Sequence, residues 1–318
     1  MFDLVTVGEL LIDFTPVPSV DRPTFQQNAG GAPANVVTVA ALMGKKTAFI
    51  GKVGDDAFGR FLCKTLTSYG VDTSGLVMSE EFPTTLAFVH LDDSGERSFS
   101  FFRHLSADVM LNTSELRMQV IENTKVFHFG SVSMTEDPSR TSTIEAIQAA
   151  RVNGAIITFD PNLRPALWRN QDEAKEQILN VLPYVDVLKI SDEELSFLTG
   201  ETTFQAGALS LKKQYQNISV ILVTLGAKGC YYLAVCGEGS VPSFPVNPVD
   251  TTGAGDAFMG TFISGLLDTG KRPTELHQEE LVNIIRAANT SGALTTTRPG
   301  GIPALPTREE VVDFMNKH

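Results

Sequence analysis

The chain has 318 residues, 42% of them apolar and 19% charged, and a formal net charge of -12. That balance suits a globular protein with a full core. The acidity argues against nucleic acid or an anionic membrane as partner, since both select a basic face. No run approaches the roughly 18 apolar residues of a membrane span. Met1-Phe2-Asp3-Leu4-Val5 carries no signal-peptide pattern. The three cysteines lack zinc-ligand spacing and the five histidines are scattered, which predicts free thiols in a reducing cytoplasm and no histidine-based metal site.

In chain order, Leu4-Val5-Thr6-Val7 reads as a buried strand ending at Gly8. Residues 34–43 read as a helix stopped by Gly44, 47–50 as a strand, and 57–69 as a helix closed by Gly70. Strand-like runs recur at 126–129, 155–159, 186–190, 219–224 and 241–249, with helical patterns between several of them. Such alternation predicts a doubly wound α/β fold, a mainly parallel sheet with helices on both faces. Ligands on such sheets sit beyond the C-terminal strand ends. One segment breaks the alternation: 84–91 and 96–103 are β-rich around Asp92-Asp93-Ser94-Gly95, a hairpin signal. It is expected in a small accessory sheet, the alternative being an edge hairpin of the main sheet. Thr307 and Glu310 have the spacing of a capping box before the last helix.

Neither a P-loop nor a Gly-x-Gly-x-x-Gly fingerprint occurs. The informative run is Asp250-Thr251-Thr252-Gly253-Ala254-Gly255-Asp256, which opens an apolar helical stretch. Glycines there let backbone approach a ligand, and free amides at a helix start form an anion hole. Asp256, beside that hole, is placed to take a proton from a hydroxyl attacking a phosphate. The plainer alternative is a glycine-rich turn with Asp256 as N-cap. The local sequence does not separate the two.

Asp250 to Asp256 resembles the signature of the ribokinase-like (PfkB) carbohydrate kinases, and Asn28-Ala29-Gly30-Gly31-Ala32-Pro33-Ala34-Asn35 resembles that family's N-terminal Gly-Gly motif. Three stretches are most similar to fructokinases: Gly8-Glu9-Leu10-Leu11-Ile12-Asp13-Phe14, Asp160-Pro161-Asn162-Leu163-Arg164, and Arg298-Pro299-Gly300-Gly301-Ile302-Pro303. The resemblance implies one kinase domain over 1–318 with a β-sheet lid from about 14–25 and 84–103. It implies ATP-dependent phosphorylation of a sugar hydroxyl, with D-fructose the expected sugar and 2-keto-3-deoxygluconate the competing one. A catalytically silent sugar or nucleotide sensor would keep the fold but is expected to lose the base or the glycines.

Roles follow from the same resemblance. Asp256 is the expected base. Gly253, Ala254 and Gly255 supply the anion hole, with Arg164 sharing the phosphoryl charge. Asp13, Gly30, Gly31, Asn35, Arg103 and Asn162 are expected at the sugar, although a rim salt bridge suits Arg103 almost as well. Ser191, Thr224, Gly226, Gly229 and Asn289 are expected on the ATP side. Ser191 stands where the family carries Asn-x-x-Glu, which leaves Glu194 as the matching carboxylate, holding Mg²⁺ through water. Asp250 and Thr252, with Thr295, Arg298 and Gly300, resemble a K⁺ loop. Phe88, Phe99 and Phe101 are expected to need a partner surface, either the closed active site or the same sheet of a second subunit about a two-fold axis, which predicts a homodimer joined through the lids.

Overall fold

The computed structural model describes residues 1–17, 24–91 and 97–318. The predicted turn at 92–95, residues 18–23 of the expected lid and the side chain of Phe99 lie outside the described residues.

Thirteen strands are described: β1 (Phe2–Val7), β2 (Leu11–Val17), β3 (Thr24–Gly30), β4 (Thr47–Gly54), β5 (Asp72–Ser79), β6 (Leu86–Leu91), β7 (Arg97–Phe102), β8 (Thr124–Gly130), β9 (Ile156–Asp160), β10 (Val187–Ser191), β11 (Val220–Thr224), β12 (Cys230–Ala234) and β13 (Gly237–Val241). Nine form one sheet in the order β13-β12-β11-β10-β9-β8-β1-β4-β5. From β11 to β5 neighbours are parallel, and β12 and β13 add an antiparallel edge. Strands buried on both faces read as continuous apolar runs: β4 is buried at all eight positions and β9 at all five. The sheet winds outward from β1 in both directions, so the chain ends after β1, β8, β9 and β10 converge on a crevice at the switch point.

The expected strand over 241–249 stops at Val241. Pro242, Pro245 and Pro248 remove the amides that a continuing ladder would need. The predicted helices appear as Ala32–Leu42 and Ala57–Ser68, and the apolar stretch after Asp256 lies in Ala254–Thr269. The predicted capping box is formed, Thr307 Oγ1 accepting from Glu310 N and Glu310 Oε2 from Thr307 N.

The second sheet has the order β3-β2-β6-β7, so 84–103 contributes to an accessory sheet, and the edge-hairpin alternative falls. One strand, β3, was not read from the sequence as such: Gln26-Gln27-Asn28 is polar, and pairing with β2, which sets Leu11 against Gly30 and Asp13 against Asn28, holds it. The aromatic side chains divide between the two partner surfaces expected of them. Register places Ala87 opposite Phe101 and Phe88 opposite Ser100, so Phe88 and Phe101 take opposite faces. Phe101 lines the crevice. Phe88 stacks on Phe14 at 4.8 Å and meets Phe25 and Phe102 edge-on, while Phe14 meets Phe58 of the helix Ala57–Ser68.

Candidate active site

A cavity of about 330 Å³ opens between the two sheets. Its wall carries Glu9, Asp13, Gly31, Asn35, Asn162, Arg164, Lys189, Thr251, Thr252, Gly253, Gly255 and Asp256.

Gly253 is the N-cap of the helix Ala254–Thr269, in the left-handed region at φ 78° that glycine tolerates. Asp256 is therefore the third helical residue, and the N-cap alternative fails. Its carboxylate turns away from the helix backbone and accepts from two side-chain amides, Asn35 Nδ2 at 2.8 Å and Asn162 Nδ2 at 3.2 Å. Burial raises its pKa, while the Asn35 hydrogen bond, Lys189 and Arg164 pull it back. The result is an oriented carboxylate with a raised proton affinity at the mouth of a helix N-terminus. The amide of Ala254 is turned to Thr251 O at 3.3 Å, and Ala254 is not among the wall residues, which weighs against it as an anion-hole donor.

The Gly-Gly motif works through its neighbours. A Cβ on Gly30 would stand 2.0 Å from Asp13 Oδ2, so glycine makes room for that carboxylate. Gly31 sits at φ 116°, and a Cβ there would strike Glu9 O at 2.3 Å. Asp13, on β2, faces Arg164 across the cavity. Burial pushes it up to about 6, with Arg164 opposing and Asp256 and Asp250 adding. Asn162 holds a left-handed φ of 46°, which asparagine tolerates.

Arg103 does not join this set. It is buried and each of its guanidinium nitrogens has an acceptor: Nε donates to Asp108 at 2.7 Å, and the other nitrogens donate to Thr135 Oγ1 at 2.7 Å and to Val132 O at 3.0 Å. The structure places it in a buried ion pair behind the cavity wall, so the sugar contact expected of it is corrected.

Ser191 and Glu194 form a capping box, Ser191 Oγ accepting from Glu194 N and Glu194 Oε2 from Ser191 N. Ser-x-x-Glu was legible at 191–194 by the rule applied at 307–310. Glu194 Oε1 also accepts from Leu163 N at 2.7 Å, tying it to the Asn162-Leu163-Arg164 loop. Register places Ser191 beside Thr224. Gly229 closes on Val241 O, where a Cβ would stand at 2.2 Å, and Asn289 Nδ2 donates to the same carbonyl at 2.9 Å. These residues, with Gly226 at φ 56°, gather at the ends of β10 to β13 rather than on the cavity wall. Asp250 ties the segment before the helix Ala254–Thr269 to residue 300, its oxygens accepting from Thr252 N at 2.7 Å and Gly300 N at 3.0 Å. Thr295 O accepts from Arg298 N, while the Arg298 side chain pairs outward with Glu310. No group of three acidic, histidine or cysteine side chains among the described residues forms a ready metal cluster.

Two charged wall residues went unread in the sequence, Glu9 and Lys189. Lys189 carried a signal, a charge inside the short apolar strand Val187–Ser191, since charged groups are rarely buried without a partner. Glu9 accepts from Ala32 N at 2.8 Å, and burial pushes it up to about 7.

The sequence matches the pfkB family carbohydrate kinase profile over residues 1–308. The chain belongs to that family. As a pfkB kinase it is 44% identical to fructokinase-1 of Zea mays over 99% of this chain and 98% of that one. Its fold superposes on the ATP-bound fructokinase of Xylella fastidiosa with a TM-score of 0.90, at 33% identity over 100% of this chain and 99% of the other. It superposes on a Vibrio cholerae fructokinase double mutant, bound to fructose, ADP and potassium ion, with a TM-score of 0.87, at 34% identity over 98% of each chain. The fold is thus the ribokinase-like one that the sequence resemblance implied.

Proposed function

We propose that this pfkB kinase transfers the γ-phosphoryl group of ATP to the C6 hydroxyl of D-fructose. The observation that carries the reading is the Asp256 carboxylate, held by Asn35 and Asn162 at the start of the helix capped by Gly253. The fructokinase relatives supply the sugar. Asp256 accepts the O6 proton as O6 attacks phosphorus. Gly253 and Gly255 leave first-turn amides open toward the developing charge, and Arg164 adds a guanidinium. Asp13, Asn35 and Asn162 bind and orient the sugar hydroxyls. Ser191, Thr224, Gly226, Gly229 and Asn289 form the nucleotide side. Glu194 would hold the water shell of a nucleotide-borne Mg²⁺, which neutralises phosphate charge when bound.

The loop of Asp250, Thr252, Thr295, Arg298 and Gly300 would hold K⁺. Activity is expected to be higher in K⁺ than in Na⁺ or Li⁺ at matched ionic strength, and equal initial rates in the three salts would remove this assignment. The small sheet acts as a lid that excludes water. No helix among the described residues is long and apolar enough to cross a membrane, and the three cysteines are free. These fit the cytoplasmic setting proposed for the enzyme.

The carboxylates of Asp13 and Asp256 on the cavity wall favour a neutral sugar over 2-keto-3-deoxygluconate, whose carboxylate they would repel. With Arg103 spent on Asp108, the cations of the wall among the described residues are Arg164 and Lys189, and Lys189 is paired with Asp160. A coupled assay with ATP across fructose, ribose, 2-keto-3-deoxygluconate and adenosine should give fructose the highest kcat/KM. A tenfold advantage for another substrate would overturn the choice of sugar.

A further inference from the structure

Lys189 projects from β10 into the cavity wall beside Gly255 and Asp256. Its side chain is only 8% exposed, and Nζ donates to Asp160 Oδ2 at 2.8 Å. Among the described residues this is its single hydrogen-bond acceptor, although an ammonium carries three N–H groups. Two donors are thus left to meet a ligand in the cavity that Lys189 lines, and they have a direction. The direction is toward the helix start: a Cβ on Gly255 would stand 2.9 Å from Nζ. A cation there faces the positive end of the helix dipole, an unfavourable placement for an empty site. Asp160 takes one of its N–H groups and no more. What remains, an ammonium and the first-turn amides converging on one volume, is complementary to a multiply charged anion.

We propose that Lys189 is a catalytic residue, its ammonium donating to a non-bridging oxygen of the phosphoryl group in transit, with Asp160 as its positioning residue. This deepens the kinase reading and rests on it. The O6–P bond forms as the bond from phosphorus to the β-phosphate bridging oxygen breaks. The O6 proton goes to Asp256 and the electron pair of the broken bond leaves with ADP. Lys189 keeps its proton throughout and stabilises charge on the oxygens it touches. Burial alone would lower its proton affinity, but the carboxylates of Asp160, Glu194 and Asp256 raise it, so the ammonium stays charged at neutral pH. Glycine at 255 follows from the same contact, since a side chain there would push the ammonium aside.

The test compares wild type, Lys189→Met and the double variant Lys189→Met/Asp160→Asn, which leaves no unpaired buried carboxylate and guards against misfolding. In both variants kcat should fall about 10²–10³-fold, the loss typical of one such donor, with KM for fructose within about threefold of wild type. Affinity for ADP with aluminium fluoride and fructose, a mimic of the phosphoryl group in transit, should fall in parallel. Binding of ADP alone should hold. A folded double variant with kcat within fivefold of wild type, or with undiminished affinity for the mimic, would show that Lys189 merely neutralises Asp160. Wild type that turns over no sugar with ATP would sink the kinase reading and this role with it.

Discussion

Asp256 carries the chemistry because two amides and a helix start hold its carboxylate. Asp256→Asn keeps the shape, and Asn35, whose Oδ1 is otherwise without a partner, can turn its amide to accept from the new side chain. Loss of a general base typically costs about 10²–10⁴-fold. Steady-state kinetics of this variant should therefore show kcat down by at least two orders of magnitude with KM for fructose little changed. A loss below tenfold would send the proton elsewhere. Glu9 gives a stability signature instead. Its proton affinity rises from 4.5 to about 7 because burial disfavours the charged form. The folded state thus holds this proton more tightly than the unfolded state does. The associated stability is fully present below the unfolded value and is lost as pH rises through the folded one. A shift of that size is worth on the order of 3 kcal/mol. Glu9→Gln, neutral at every pH, should gain on wild type by up to that amount between pH 4 and pH 8. Urea titrations at the two pH values measure it, and a constant difference would count against the buried carboxylate.

At the scale of elements, the Asn35–Asp256 contact depends on two helices that meet closely. A Cβ on Gly260 would stand 2.7 Å from Val36 O and 2.7 Å from Val39 Cβ. The helices Ala32–Leu42 and Ala254–Thr269 can therefore approach only with glycine there, and the approach brings Asn35 to the carboxylate. Gly260→Ala improves helix propensity but overpacks the crossing, which typically costs about 1–3 kcal/mol. Both melting temperature and kcat should drop, since the wedge separates the two catalytic side chains. An unchanged kcat would mean that the helices adjust without moving the site. Gly30 serves a similar purpose in the small sheet, where its missing side chain is the space that Asp13 fills.

For the whole molecule, the outer face of the small sheet sets the expected assembly. Phe102 is 64% exposed and Phe25 37% exposed, on either side of the Phe14–Phe88 stack. A four-stranded sheet with a wet aromatic face gains from a second copy packed about a two-fold axis. Light scattering at micromolar concentration should give a dimer mass, and Phe102→Asp should return a monomer that still binds ATP. A monomer mass for wild type would defeat the lid-to-lid dimer.

Much of this was local information and therefore legible in the chain. Alternating apolar runs and glycine stops marked β1, β4, β8 to β11 and the helices between them, because burial on both faces and helix termination act over a few residues. The run from Asp250 to Asp256 announced a helix start with a carboxylate beside it. Other features depended on partners distant in sequence. β3 exists because β2 pairs with it, whatever its polar residues prefer alone. Asp256 is excluded as an N-cap by the helix start at Gly253, and its carboxylate is oriented by Asn35 and Asn162 from distant segments. Arg103 left the sugar site because Asp108, Thr135 and Val132 each engage one of its guanidinium nitrogens. Lys189 looked like a strand residue until parallel pairing set β10 beside β9 and brought Asp160 to its ammonium. Secondary structure and the helix-start motif follow from short-range backbone preferences and burial patterns, which the sequence carries directly. Which charges meet, and which are left with donors to spare, is decided by packing across the switch point, where residues far apart in the chain share one low-dielectric volume.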